Sequence, residues 1–265
     1  MNPTQPATRV AVVVGAAGGI GAALVDVLAA RPDFSQVIAL SRRPDAVPRS
    51  ADATIAVDPL DRAALLAARD RVAARTPAVH RLIICIGLLH AEPGPDSPGI
   101  NPEKALKQLD QSAFAHCMSV NAFAPLAVLD AFLPLLRHAE GAVAAALSAR
   151  VGSIADNRLG GWYSYRMSKA ALNMGIRTAA IELQRLRHGP TLVAIHPGTT
   201  ATALSAPFVA RRTGTGPRSS PDTSAQPDAP RSARDSAARL VAMLDGVSSD
   251  DNGALLNWDG TRLPW

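Results

Sequence analysis

Residues 9–14, Arg-Val-Ala-Val-Val-Val, form a short apolar run that leads without a spacer into Gly15-Ala16-Ala17-Gly18-Gly19-Ile20-Gly21. A run of that length, rich in β-branched side chains, reads as a strand buried on both faces. Glycines directly after it let the chain turn sharply and let a pyrophosphate approach the amides that open the next helix, whose dipole favours an anion. The spacing of Gly15, Gly19 and Gly21 is Gly-x-x-x-Gly-x-Gly, not the better-known Gly-x-Gly-x-x-Gly. A strand–helix turn also uses glycine on steric grounds alone, so the nucleotide reading depends on the rest of the chain.

The rest of the chain alternates. Further short apolar runs lie at 36–40, 53–57, 81–86, 142–147, 191–195 and 253–257, with helical patterns from Gly19 to about Ala30 and near 60–74, 111–137, 162–187 and 232–245. Strand alternating with helix over almost the whole length predicts an α/β doubly wound parallel sheet in a single domain, 1–265. Residues 211–232 break the pattern: they hold Arg, Thr, Gly, Ser, Pro and Asp and no large apolar side chain. Such a segment buries too little surface to offset its ordering entropy, and a mobile or disordered insert is expected there. Ser232 is expected to cap the next helix, with Asp235 in the reciprocal position.

The formal charge of +5 is carried almost wholly by arginine, the lysines being Lys104, Lys107 and Lys169. The arginines are scattered and no nucleic-acid module accompanies them, so a nucleic-acid partner is not expected. Cys85 and Cys117 sit in separate apolar stretches, which reads as reduced thiols with no disulfide framework and no metal spacing. The first eight residues lack the apolar core of a signal peptide, and no apolar run is expected to reach bilayer-spanning length. A cytoplasmic location is expected.

The end of the second strand bears on which nucleotide is bound. A cofactor with a free ribose 2′-hydroxyl usually meets a carboxylate about twenty residues beyond the glycines. Here the stretch reads Leu40-Ser41-Arg42-Arg43-Pro44, with no carboxylate between Phe34 and Pro44. A hydroxyl and guanidiniums suit a 2′-phosphate, so NADP(H) is favoured and NAD(H) remains possible; a solvated loop is the alternative. Asp58, after the third strand, could accept from the adenine amino group.

Tyr165 and Lys169 stand four apart in a helical pattern, on one face and about one turn apart. A cation so close is expected to draw the phenol's pKa down and fit it for proton transfer. Ser148 closes the fifth strand, at the carboxyl edge where ligands gather in open parallel sheets. Asn121 lies in an otherwise apolar helical stretch, either as a helix-distorting relay or as a satisfied core amide. After the sixth strand, His196-Pro197-Gly198-Thr199-Thr200-Ala201-Thr202 offers amides and hydroxyls that could grip a carboxamide, and His196 beside the Pro-Gly turn reads as structural. Leu88, Leu89, Trp162, Leu204 and Phe208 suggest an apolar substrate pocket or, equally, core.

Together these residues resemble the short-chain dehydrogenase/reductase family: GAAGGIG at 15–21, Asp58, Asn121, Ser148, Tyr-x-x-x-Lys at 165–169 and the Pro-Gly-x-x-x-Thr turn at 197–202, in that order. Residues 148–169 and the ending NWDGTRLPW look like the C-factor-type subgroup of that family. The resemblance implies a Rossmann-type sheet of about seven strands with helices on both faces, and a homodimer or homotetramer joined through helices near 103–137 and 162–187. It also implies catalytic roles for Asn121, Ser148, Tyr165 and Lys169, with Tyr165 and Lys169 also touching the cofactor. One departure stands out. The family's Asn-Asn-Ala-Gly after the fourth strand is Ile84-Cys85-Ile86-Gly87 here, and of that cofactor-side turn only Gly87 survives.

The expected chemistry is reversible hydride transfer between NADP(H) and a carbonyl or secondary alcohol. The alternative is a signalling or sensor protein of the same fold with little or no turnover, which the altered turn at 84–87 and the 211–232 insert would favour.

Overall fold

The computed structural model describes residues 9–94, 99–206 and 230–265, so most of the 211–232 insert lies outside the described residues, as does Phe208. Seven strands make one sheet: β1 (Arg9–Val14), β2 (Phe34–Ser41), β3 (Ala53–Ala56), β4 (Arg81–Ile84), β5 (Val143–Leu147), β6 (Thr191–His196) and β7 (Ala254–Asn257). Their order is β3-β2-β1-β4-β5-β6-β7, and every neighbouring pair is parallel. This is the doubly wound Rossmann-type arrangement that the alternation predicts. β4 stops two residues earlier than the 81–86 run, because Cys85 to Gly87 turn out of the sheet.

Successive strand side chains point to opposite faces, and β1 divides accordingly. Val10, Val12 and Val14 enter one apolar cluster with helices α2 (Arg62–Ala73), α4 (Ala124–Leu136) and α5 (Tyr163–Leu183). Ala11 and Val13 enter the other, with α1 (Gly19–Ala29) and α6 (Ala233–Asp245). Both faces are therefore covered, which is why β1 is apolar from Val10 to Val14. Burying each such Val or Leu contributes about 1.5–3 kcal/mol relative to exposing it.

Helix α3 (Gln111–Met118) continues through a π turn at Ser119–Phe123 into α4. The combined helix, Gln111–Leu136, is long and apolar enough by length and composition to cross a membrane, contrary to the expectation for any run in this chain. More than half of its most apolar window is buried against the sheet and α5, the pattern of a core helix. Ser232 caps α6 as expected: its hydroxyl accepts from Asp235 N at 3.0 Å. The reciprocal contact is hydroxyl to carboxylate, Ser232 Oγ donating to Asp235 Oδ2 at 2.7 Å, rather than backbone to carboxylate.

Candidate active site

The strand order brings β1 and β4 together, with chain connections leaving in opposite directions, and the crevice at their carboxyl ends is where such sheets bind ligands. The glycine turn forms one wall. Gly15 adopts φ +82°, and a Cβ there would stand 2.8 Å from the Cys85 carbonyl oxygen, so only glycine fits the turn against β4. A Cβ on Gly21 would strike the Gly15 carbonyl, which fixes how closely α1 follows the strand. Helix α1 opens with Gly18, makes no side-chain cap and has no acidic residue in its first turn. An uncapped helix start held so close suits an anion.

A cleft of about 170 Å³ runs from this turn past Ser41, Arg42, Arg43, Asp58 and Leu60 to Cys85, Gly87 and Val120. Of the residues expected to hold a nucleotide it brings together Gly15, Ser41, Arg42, Asp58 and Gly87, while Gly19, Ile20, Gly21, Tyr165, Lys169, Pro197, Gly198 and Thr202 lie outside its lining. Ser41 is buried and its hydroxyl accepts from Arg43 N at 2.9 Å, which orders the start of the loop, while Arg42 and Arg43 are exposed at the rim. Asp58 Oδ1 accepts from Leu60 N at 2.9 Å. The second wall comes from the turn after β6: a Cβ on Gly19 would lie 2.7 Å from Thr202 Cγ2, so the Pro197–Thr202 segment meets the glycine turn. Gly198, at φ +76°, faces Arg231 and Trp258.

Past Gly87 lie the residues expected to carry the chemistry. A Cβ on Gly87 would stand 3.8 Å from Lys169 Nζ and 3.7 Å from Leu204 Cδ1. Tyr165, Lys169 and Asn173 succeed one another at four-residue spacing along a buried stripe of α5. Lys169 Nζ donates to the Leu147 carbonyl at 2.8 Å, and Ser148 Oγ lies 2.6 Å from Asn173 Oδ1. The stripe therefore grips the end of β5 at two consecutive residues.

The acidity of the pair departs from the sequence expectation. Burial raises the Tyr165 phenol well above its ordinary value, with Cys117 adding to the rise, and burial lowers the Lys169 ammonium to about 8. Lys169 Nζ stands 5.9 Å from the Tyr165 ring centroid. At that distance, with both groups inside the protein, the loss of hydration outweighs the attraction that helix spacing alone suggests.

Asn121 lies in the π turn and is fully buried. Its Oδ1 accepts from Leu88 N at 2.7 Å, and its Nδ2 donates to Leu88 O at 2.7 Å and to Ser168 Oγ at 3.0 Å. The helix is distorted there and the amide is satisfied. The side chain pairs with Leu88 as a neighbouring strand would, bracing the turn that lacks the family's asparagines. Pro125, four residues on, has no amide proton to give the Asn121 carbonyl.

Two residues of this region escape the sequence reading. Glu103, buried in the loop before α3, accepts from Ser164 N at 3.2 Å through Oε2 and from the Ser164 hydroxyl through Oε1. Its carbonyl also accepts from Trp162 N at 2.5 Å. The helix needs such an external cap, since Gly160, Gly161 and Trp162 enter it with positive φ and Trp162 makes no cap of its own. Asn173 is the other. Its only sequence signal is the four-residue step beyond Lys169. His196, at the end of β6, is lowered to about 4 by burial and by Arg150 and Arg231, so it is neutral near pH 7 and fits the structural reading.

A model of the short chain dehydrogenase family matches residues 9–213. The C-signal of Myxococcus xanthus is 34% identical over 161 residues, covering 61% of this chain and 84% of that protein. The short-chain dehydrogenase srdF of Neurospora crassa is 28% identical over 265 residues, covering 97% of this chain and 98% of its own. Among solved structures, an NADPH-bound carbonyl reductase from chicken fatty liver matches with a TM-score of 0.75 at 26% identity, over 97% of this chain and 99% of that one. The carbonyl reductase Sniffer of D. melanogaster matches with a TM-score of 0.77 at 22% identity over the same shares, a likeness of fold.

Proposed function

The chain belongs to the short-chain dehydrogenase family and is an NAD(P)-dependent oxidoreductase, and on that premise we propose that it reduces a carbonyl compound to a secondary alcohol with a preference for NADPH. The observation that carries this reading is the convergence of Tyr165, Lys169 and the Ser148 strand end beyond a cleft rimmed by Ser41 and Arg42.

The residues fit a dinucleotide. Gly15, Gly19, Ile20 and Gly21 would hold the pyrophosphate at the start of α1. Ser41 and Arg42 would bind the 2′-phosphate, and Asp58 the adenine amino group. Gly87, Pro197, Gly198 and Thr202 would border the nicotinamide end, with Tyr165 and Lys169 on its ribose. A dinucleotide bound there would supply or take the hydride. Ser148 hydrogen-bonds the substrate oxygen, and Tyr165 gives its phenolic proton to that oxygen as negative charge develops there. Lys169, held by Leu147, supplies positive charge beside the phenolate that results. The main-chain carbonyl of Asn121, with no proton available from Pro125, is the group suited to hold a water that returns a proton through Lys169.

Burial keeps the Tyr165 phenol protonated near neutral pH, the form from which a reduction draws its proton. An alkoxide is a much stronger base than a phenolate, so a buried phenol still protonates it. Oxidation of an alcohol needs phenolate first, and burial disfavours phenolate. The test is NADPH-dependent carbonyl reduction in Tyr165→Phe: loss of turnover is expected, and near-wild-type turnover overturns the assignment.

The chain acts as one domain and as a homodimer or homotetramer in this reading. Met167, Met174 and Ile181 place a row of exposed apolar side chains along α5 at seven-residue spacing, which suits a helix–helix interface between copies. The likeness to C-signal favours a second reading, a signalling protein that binds the nucleotide without turnover. Stopped-flow observation of bound NADPH across a carbonyl panel separates the two, since binding with no oxidation on any substrate supports the signalling protein.

A further inference from the structure

Ser148 Oγ and Asn173 lie 2.6 Å apart, both buried, and the Asn173 side chain is placed with Oδ1 toward the hydroxyl. In that placement Ser148 must donate, and a serine has one proton. Nothing is then left to give a substrate oxygen. The same placement leaves Asn173 Nδ2 buried without a hydrogen-bond partner. Half a turn of the carboxamide exchanges the two ends with almost no change in shape. Nδ2 then donates to Ser148 Oγ, and the serine's own proton turns away from Asn173. The orphan becomes a carbonyl oxygen, which protein interiors tolerate more readily than an orphan N–H.

We propose that Asn173 is a positioning residue that donates through Nδ2 to Ser148 Oγ and so directs the Ser148 proton at the substrate oxygen. The proposal rests on the reductase reading, because it requires Ser148 to act as a donor in turnover. Chain geometry supports it independently of charge. Tyr165, Lys169 and Asn173 are successive steps of one helical stripe, and the last two clamp Leu147 and Ser148, so a single rigid helix sets the proton donor and the oxygen-binding hydroxyl together.

Two measurements test it. In nitrogen-labelled protein, one Asn173 side-chain N–H resonance is expected to move upfield in Ser148→Ala, as it loses its acceptor; an unchanged Asn173 pair overturns the proposal. This readout needs no turnover. In kinetics with NADPH and whichever of acetophenone, isatin or phenanthrenequinone the wild type reduces, Asn173→Ala is expected to lower kcat by about a hundredfold with KM within about twofold. In a Ser148→Ala background the same substitution is expected to change kcat by less than about twofold. An equal loss in both backgrounds overturns the proposal, because a merely structural asparagine acts whether or not the hydroxyl is there. Wild-type protein that oxidises NADPH with none of the three carbonyls counts against the reductase reading instead, and the resonance measurement still decides the direction of the bond.

Discussion

Lys169 donates through Nζ to the main-chain carbonyl of Leu147 at 2.8 Å, fastening the middle of α5 to the last residue of β5. The bond gives a buried ammonium one firm acceptor inside the fold. It also fixes the distance between the helix that carries Tyr165 and the strand that ends at Ser148. Nearby, Glu103 fastens the same helix at its start.

Lys169 should contribute stability that rises with pH through its titration. Burial lowers Lys169 from 10.5 to about 8, so between those values the unfolded chain holds a proton that the folded chain has released. That contribution is complete above the unfolded value and is lost as pH falls toward 8. The buried thiols Cys85 and Cys117 are raised and act in the opposite sense above pH 9. The comparison with Lys169→Met removes them: urea unfolding at pH 8 and pH 10 should show wild type gaining about 2 kcal/mol more than the variant. Equal gains would show that Lys169 is charged as easily inside as outside.

Arg42 should set cofactor preference. It is exposed at the rim of the cleft beside Ser41, in a stretch with no carboxylate between Phe34 and Pro44. Arg42→Ala is expected to raise KM for NADPH by roughly tenfold or more, the loss of a charge-assisted contact to phosphate, while KM for NADH changes little. Steady-state kinetics with the two cofactors decides it, and parallel changes in both would remove Arg42 from the 2′-phosphate.

Glu103 should matter to stability and to turnover together. Glu103→Ala leaves the Ser164 amide and hydroxyl without their buried acceptor at the helix start, a loss of about 2–3 kcal/mol. Turnover should fall with it, since Tyr165 is the next residue. Glu103→Gln keeps one acceptor oxygen and should recover most of both. Urea midpoints and kcat for the pair of variants give the answer; an alanine variant as stable as wild type would mean that Ser164 finds another partner.

Much of this arrangement can be read along the chain because it is local. Each strand announces itself as an apolar run, the start of α5 comes from helical period and the bounds of α6 from period and Ser232, while α5 ends at Leu183, four residues before the expected 187. The glycine turn is legible too, since Gly15 needs a backbone that other residues avoid. What escapes is the chemistry of burial and of long-range pairing. Helix spacing puts Tyr165 and Lys169 on one face, yet it does not say that both lose their hydration, and that loss reverses the expected shift of the tyrosine. Glu103 meets Ser164 across about sixty residues, and Asn121 meets Leu88 across about thirty, so neither partnership has a periodicity to reveal it. The π turn at Ser119–Phe123 is equally silent, although Pro125 marks where an ordinary helical bond is missing.

The order of strands in the sheet has a consequence for how the protein comes into being. Val14 of β1 pairs with Ile84 of β4, and Leu147 of β5 pairs with Ile195 of β6, so neighbours in space wait for segments synthesised much later. The first half of a growing chain carries the glycine turn, Ser41 and Arg42 but neither Ser148 nor Tyr165. Closing such distant pairs is slow, and β4 stands in the sheet between β1, which leads into the glycine turn, and β5, which leads into Ser148. Acquisition of activity during refolding should accordingly lag the recovery of helical signal, making catalysis itself a reporter of the last step of folding.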